Sequence, residues 1–207
     1  MTRDISIEIS WKKYISGDKA VFGDVYLHYY AELYAYGRTI TPRADWIDTA
    51  IQELFITLWQ NPPKEVRSLD QYIFTSFRNQ LYRTLKNSRK YLATNRVPET
   101  RVEDGWHKSA EDILIEDESN SEIRQQIQKA LQSLPARRRE AIYLKFFQNK
   151  TTAEISVIMN IREEMVRNYI YKGIKALRTN YSNQQFRLHP ALILIICLQL
   201  SGNMNLF

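Results

Sequence analysis

With one cysteine, six glycines and six prolines in 207 residues, several kinds of protein are already disfavoured. Cys197 has no partner for an internal disulfide, which suits a reducing compartment, so a cytoplasmic location is expected. Scarce glycine and proline argue against a loop-rich all-β fold. The N-terminus "MTRDISIEISWKKY" lacks the apolar stretch of a secretion signal. The apolar run from Ala191 to Leu200 would reach roughly 15 Å as a helix, against a hydrocarbon core of about 30 Å, and is too short to span a bilayer. There is no Gly-rich phosphate loop, no H-x-x-x-H and no cysteine pair, and His28, His107 and His189 lie far apart in sequence. Neither a catalytic constellation nor a metal, cofactor or small-molecule substrate is expected. His28, inside a Tyr-rich helical stretch, is expected to be packed.

What the chain does have is helix-forming sequence and segregated charge. Residues 1–60 carry six basic and eight acidic side chains, and residues 61–90 carry seven basic and two acidic. Residues 99–122 hold two basic and nine acidic, and residues 124–187 hold thirteen basic and four acidic. Any one basic block is commonly just a solvated face. Two of them flanking an acidic linker point towards a nucleic-acid partner.

Apolar residues recur at helical spacing through Trp11, Tyr14 and Ile15, then through Phe22, Val25, Tyr26, Tyr29, Tyr30, Leu33 and Tyr34, with a break at Ser16-Gly17-Asp18. Asp18 is placed to cap the longer helix. Thr41-Pro42 ends it. A third helix carries Ile47, Ala50, Ile51, Leu54, Phe55 and Leu58 on one stripe, and Asn61-Pro62-Pro63 stops it. The pattern resumes through Ile73, Phe77, Leu81 and Leu85, with Arg78, Arg83, Lys86, Arg89 and Lys90 read as its other face. Leu134-Pro135 marks entry to a further helix, with proline at its first position. The expectation is an all-α chain in two small helical domains, over 10–91 and 122–181, joined by an acidic linker over 92–121 and followed by an apolar extension over 182–207.

The stretch "TTAEISVIMNIREEMVRNYIYKGIKALR" reads as a helix-turn-helix. Asn160 suits a turn position needing positive φ. The second helix offers Arg162, Glu163, Glu164, Arg167, Asn168 and Tyr171, with Lys172 and Lys175 further along. Such a helix can enter the major groove, its first turns on base edges and its basic groups on phosphates. An arbitrary helical hairpin shows similar spacing. A helix-turn-helix regulator acting without any polymerase partner is the alternative class.

The longer run from Leu134 to Arg178 resembles region 4 of σ70-type initiation factors, which reads the −35 promoter element. "DTAIQELFITLWQN" resembles the region 2.2 helix of extracytoplasmic-function (ECF) sigma factors in Gln52, Glu53, Phe55 and Trp59, with Thr49 where that family commonly has Asp. "SLDQYIFTSFRNQLYRTLKNSRK" is similar to regions 2.3 and 2.4. The "AIQELF" and "IYKGIKALR" variants look like the Bacteroidetes branch.

The resemblance implies a factor that directs core RNA polymerase to promoters, with the β′ coiled coil and β flap, promoter DNA and an anti-sigma factor as partners. It implies polymerase docking through Asp48, Gln52, Glu53, Ile56 and Trp59, beside Leu54. It implies −10 contacts from Lys64, Arg67, Ser68, Tyr72, Arg78, Tyr82, Arg83, Lys86, Arg89 and Lys90. For −35 contacts it implies Arg137, Arg138 and Arg139 together with the second helix of the helix-turn-helix. Phe55, Leu58 and Trp59 also read as core.

Overall fold

The computed structural model describes residues 2–63, 65–95 and 129–182, and among them every regular element is helical. The described residues fall into two compact units, the first holding residues 2–63, 65–95 and 156–161 and the second residues 129–155 and 162–182.

In the first unit, α1 (Thr2–Ile15) begins earlier than expected, because Ile7 shares the buried face of Trp11 and Tyr14. Gly17, at φ 109°, turns the chain in a region that favours glycine. Asp18 then caps a short 3₁₀ turn, Lys19–Val21, by accepting from the Ala20 N–H at 3.1 Å. It does not cap the long helix directly, and α2 (Phe22–Ile40) follows that turn. Helix α3 (Ala44–Gln60) buries Ile47, Ala50, Ile51, Leu54, Phe55 and Leu58, the expected stripe, and stops before Pro62. Helix α4 (Leu69–Asn95) continues past residue 91 into what was read as linker. No proline or glycine interrupts it before Pro98.

Aromatic packing ties these helices together. The Tyr14 hydroxyl donates to the Leu58 and Trp59 carbonyls at 3.1 and 3.2 Å, joining α1 to the end of α3. Phe22 meets Trp59 and Phe55 edge-on, and Tyr36 of α2 lies against Phe74 and Phe77 of α4. Gly37 lets α2 approach closely: a Cβ there would sit 2.8 Å from Ile47 Cγ2 and 3.2 Å from Phe77 Cζ.

In the second unit, residues 129–132 are helical and α5 (Ala136–Phe146) follows. Pro135 stands one position before the first helical residue, and its carbonyl accepts from the Arg138 and Arg139 N–H groups. It therefore serves as the N-cap and not as the first helical residue. Ala130, Leu134, Ile142, Ile174 and Leu177 form the core with α7 (Glu163–Ser182). A Cβ on Gly173 would lie 2.9 Å from Ile142 Cγ1, so α7 meets α5 at close range there.

The short helix α6 (Thr152–Met159) is fixed at both ends. Thr151 and Glu154 form a capping box: the Glu154 N–H donates to Thr151 Oγ1 at 3.2 Å, and the Thr151 N–H donates to Glu154 Oε2 at 2.7 Å. At its far end Asn160 adopts φ 51°, and the Ile161 N–H reaches back to the Ser156 carbonyl at 3.0 Å. That is a left-handed helix stop of the kind the sequence pattern calls for.

Candidate nucleic-acid interface

Helix α3 carries two opposed faces. Opposite its buried stripe, Gln52, Glu53 and Ile56 are exposed, with Asp48 half-buried beside them. Ile56 is 55% exposed and Trp59 43% exposed, whereas Leu54 is buried. Trp59 is both surface and packing. Its ring stacks on Tyr14 at 6.0 Å, and Lys19 Nζ lies 5.1 Å from its centroid. Two polar members of this face are held from neighbouring helices. Tyr30 donates to Asp48 Oδ1 at 2.9 Å, and Gln80 of α4 donates to Glu53 Oε2. Burial, then the bond to Asp48, pushes the Tyr30 phenol well above its ordinary value, so it remains a donor.

Between α3 and α4, Arg67 is exposed and Ser68 half-buried. Ser68 Oγ accepts from the Gln71 N–H at 3.2 Å and so caps α4, leaving its own proton to donate. Lys64 lies outside the described residues.

Along α4, Leu69, Ile73, Phe74, Phe77 and Leu81 are buried, Tyr72 and Tyr82 are half-buried, and Arg83 and Lys86 are exposed. Arg89 and Lys90 are on the same helix, but their side chains are not among those described. Arg78 corrects the sequence reading. It is 5% exposed and belongs to the buried stripe, with its guanidinium carbon 4.5 Å from the Tyr82 ring centroid. The basic strip of α4 therefore runs through Arg83 and Lys86 and does not include Arg78.

In the second unit, the first turn of α7 presents Glu163 and Glu164, preceded by exposed Arg162. Arg167, Tyr171 and Lys175 continue the solvent strip, with Lys172 exposed and Asn168 half-buried next to it. Tyr171 is 66% exposed, and Arg167 Nη1 pairs with Glu163 Oε2 at 3.3 Å. Carboxylates in a first helical turn favour the helix dipole, while the cations lie further along. The triple arginine is not a uniform basic turn. Arg137 is exposed and pairs with buried Glu140 at 3.6 Å, and Arg138 and Arg139 are half-buried. Burial lowers the Arg139 pKa from its ordinary value.

The described residues contain no grouping of His, Cys, Asp and Glu able to hold a metal, and no helix among them is long and apolar enough to cross a membrane. The sequence reading did not single out the Tyr30 and Gln80 donors behind the α3 face, because they come from helices distant in sequence.

A family model for sigma-70, region 4 matches residues 124–177. The ECF RNA polymerase sigma factor SigL of Mycobacterium tuberculosis is 25% identical over 174 residues, covering 79% of this chain and 90% of SigL. The structure of RpoE in complex with the anti-sigma factor NepR from Bartonella quintana aligns with TM-score 0.58 at 20% identity, over 79% of this chain and 98% of that one. CnrH, in complex with the cytosolic domain of CnrY, aligns with TM-score 0.57 at 14% identity, over 85% and 97%. At such identities the two structures speak for the fold alone. The exposed basic helix behind the left-handed Asn160 turn lies in the segment that matches sigma-70, region 4. Over most of its length the chain is similar to ECF RNA polymerase sigma factors.

Proposed function

We propose that the first unit docks on core RNA polymerase through the outer face of α3 and engages the −10 element through the 61–68 loop and α4, while α7 reads the −35 element. In this reading Asp48, Gln52 and Glu53 meet basic or donor groups of the β′ coiled coil, with Ile56 and Trp59 as the apolar anchors. The second unit engages the β flap. Arg67, Arg83 and Lys86 take phosphates, and Tyr72 and Tyr82 stack on unpaired bases. Arg162, Glu163, Glu164, Arg167, Asn168, Tyr171, Lys172 and Lys175 meet the −35 duplex. The domains used are those expected from sequence, 10–91 and 122–181, with the first extended upstream by α1. The protein acts by binding, in the cytoplasm where polymerase works, and an anti-sigma factor competes for its polymerase face. RpoE, with which it shares a fold, has been captured with such a partner.

The observation that carries this reading is the α6–α7 junction. Asn160 sits in the left-handed region, and after it the first turn of α7 and its basic strip both face solvent. The test is run-off transcription from a randomised promoter library with core polymerase, with and without the protein. Starts that require the protein, behind shared −35 and −10 sequences, support the reading. If no starts appear and the protein alone shifts duplex DNA, a polymerase-independent regulator replaces it.

A further inference from the structure

Among its described residues, α7 leaves two large side chains with apolar bodies exposed, Tyr171 and Met165. Tyr171 belongs to the proposed reading strip, and Met165 so far has no role. Met165 is the third residue of α7, and its N–H donates to the Arg162 carbonyl at 2.9 Å, closing the first turn. Val166, directly after it, is fully buried, while Met165 remains 39% exposed. Helical spacing places it on one face with half-buried Asn168, three residues on, and exposed Lys172, seven on. A single apolar residue on an ordinary surface calls for no explanation. The first turns of a helix that enters the major groove are different, because base edges are met there. Those edges offer hydrogen-bond donors, acceptors and one methyl group, the C5-methyl of thymine. A thioether chain makes little use of the donors and acceptors. Unbranched and polarizable, it adapts well to a methyl group.

We infer that Met165 is a specificity-determining residue that selects thymine at one position of the −35 element by packing against its C5-methyl. This rests on the −35 reading of α7 and adds to it a base contact made without a hydrogen bond.

The test uses the full chain with core polymerase and a promoter from the library selection, each −35 thymine being exchanged in turn for uracil. That exchange removes the methyl group and leaves base pairing intact. With the unaltered protein, uracil at one position weakens promoter-complex formation by about 3- to 5-fold, the worth of one buried methyl group. Met165→Ala weakens the thymine promoter by a similar factor and no longer distinguishes thymine from uracil at that position. Met165→Leu stays apolar and keeps the distinction. Thermal stability and the −10 preference are unchanged in both variants. A merely structural role for Met165 would lower affinity for the thymine and uracil promoters alike.

If promoter-complex formation does not depend on the −35 sequence at all, the reading of α7 fails and takes this inference with it. If the −35 preference persists but no uracil exchange matters, the inference alone is overturned. It is overturned equally if Met165→Ala keeps the full thymine–uracil difference, or if the selected −35 element has no thymine on either strand. A loss of thermal stability in Met165→Ala assigns the side chain to packing, with the same result.

Discussion

The Tyr30 hydroxyl of α2 donates a 2.9 Å hydrogen bond to the Asp48 carboxylate of α3, one of the groups proposed to meet polymerase. The bond fixes where that carboxylate sits on the outer face. Tyr30→Phe removes the donor and keeps the ring against Tyr26 and Tyr34. The expected cost is about 1 kcal/mol of stability, a typical net hydrogen-bond contribution, together with weaker polymerase binding. Asp48→Asn weakens polymerase binding too. Thermal melts and competition for core polymerase measure both effects. Unchanged affinity in the two variants removes Asp48 from the docking face.

At the close approaches of Gly37 and Gly173, alanine improves helix propensity by roughly 1 kcal/mol but forces a methyl group into an occupied position. Overpacking typically costs about 1–3 kcal/mol. The added methyl would meet Ile47 Cγ2 or Ile142 Cγ1, atoms close to their own backbones and unable to swing away. Both variants are expected to be less stable in urea unfolding, by about 1 kcal/mol net.

Asn160 occupies left-handed backbone space at φ 51°. Asn160→Gly is expected to be neutral or slightly stabilising. Asn160→Val should destabilise by about 1–2 kcal/mol, the cost of a Cβ-branched residue in that region. It should also disturb −35 recognition more than −10 recognition. Footprinting of the two elements separates these effects.

At the start of α3, Arg43 Nη2 lies 2.8 Å from Asp45 Oδ2, and the Arg43 guanidinium covers the Trp46 ring at 4.4 Å. The bond from Arg43 holds the Asp45 pKa below its ordinary value. A carboxylate depressed on folding stabilises the native state above its unfolded pKa of about 3.9, and that contribution disappears as pH falls through the folded value. Asp45→Asn is therefore expected to cost a few tenths of a kcal/mol at neutral pH, since the pair is largely exposed. The difference should shrink in melts as pH falls through the lowered folded value and vanish below it.

Arg167 is expected to be the most sensitive single position of α7. A good bidentate base contact discriminates by about 1–3 kcal/mol, so Arg167→Ala should flatten one position of the −35 preference. Glu163→Gln releases the guanidinium from its 3.3 Å partner and should blur the same position less. A selection in which both variants keep the wild-type −35 preference would remove α7 from the reading role.

Much of the fold was legible because helical spacing marks the buried stripe of each long helix. Ile47, Ile51, Leu54 and Leu58 fall on one such stripe, and the proline stops at 42 and 62 lie where helices end. The Asn160 turn was legible from the tolerance of asparagine for positive φ. Arg78 was not, because residue type suggested a solvent cation while its angle around the helix placed it with Phe74, Phe77 and Leu81. The close approaches at Gly37 and Gly173 were equally hidden, since what makes them close is Ile47, Phe77 and Ile142, each fixed by tertiary packing. The same reasoning applies to the outer face of α3, whose residues could be picked out while the donors steadying them, Tyr30 and Gln80, could not.

Helix α6, at eight residues, is shorter than the roughly 12–15 at which isolated helices begin to hold in water, yet hydrogen bonds local to the chain close both of its ends. Its start is thus closed by Thr151 and Glu154 and its end by the Asn160 turn, with none of the side chains that α7 turns to solvent taking part. The lettering of that strip can be rewritten without re-aiming it. A set of variants differing only at 163, 164, 167, 168 and 171 would make promoter preference an interchangeable part, carried on an unaltered mount.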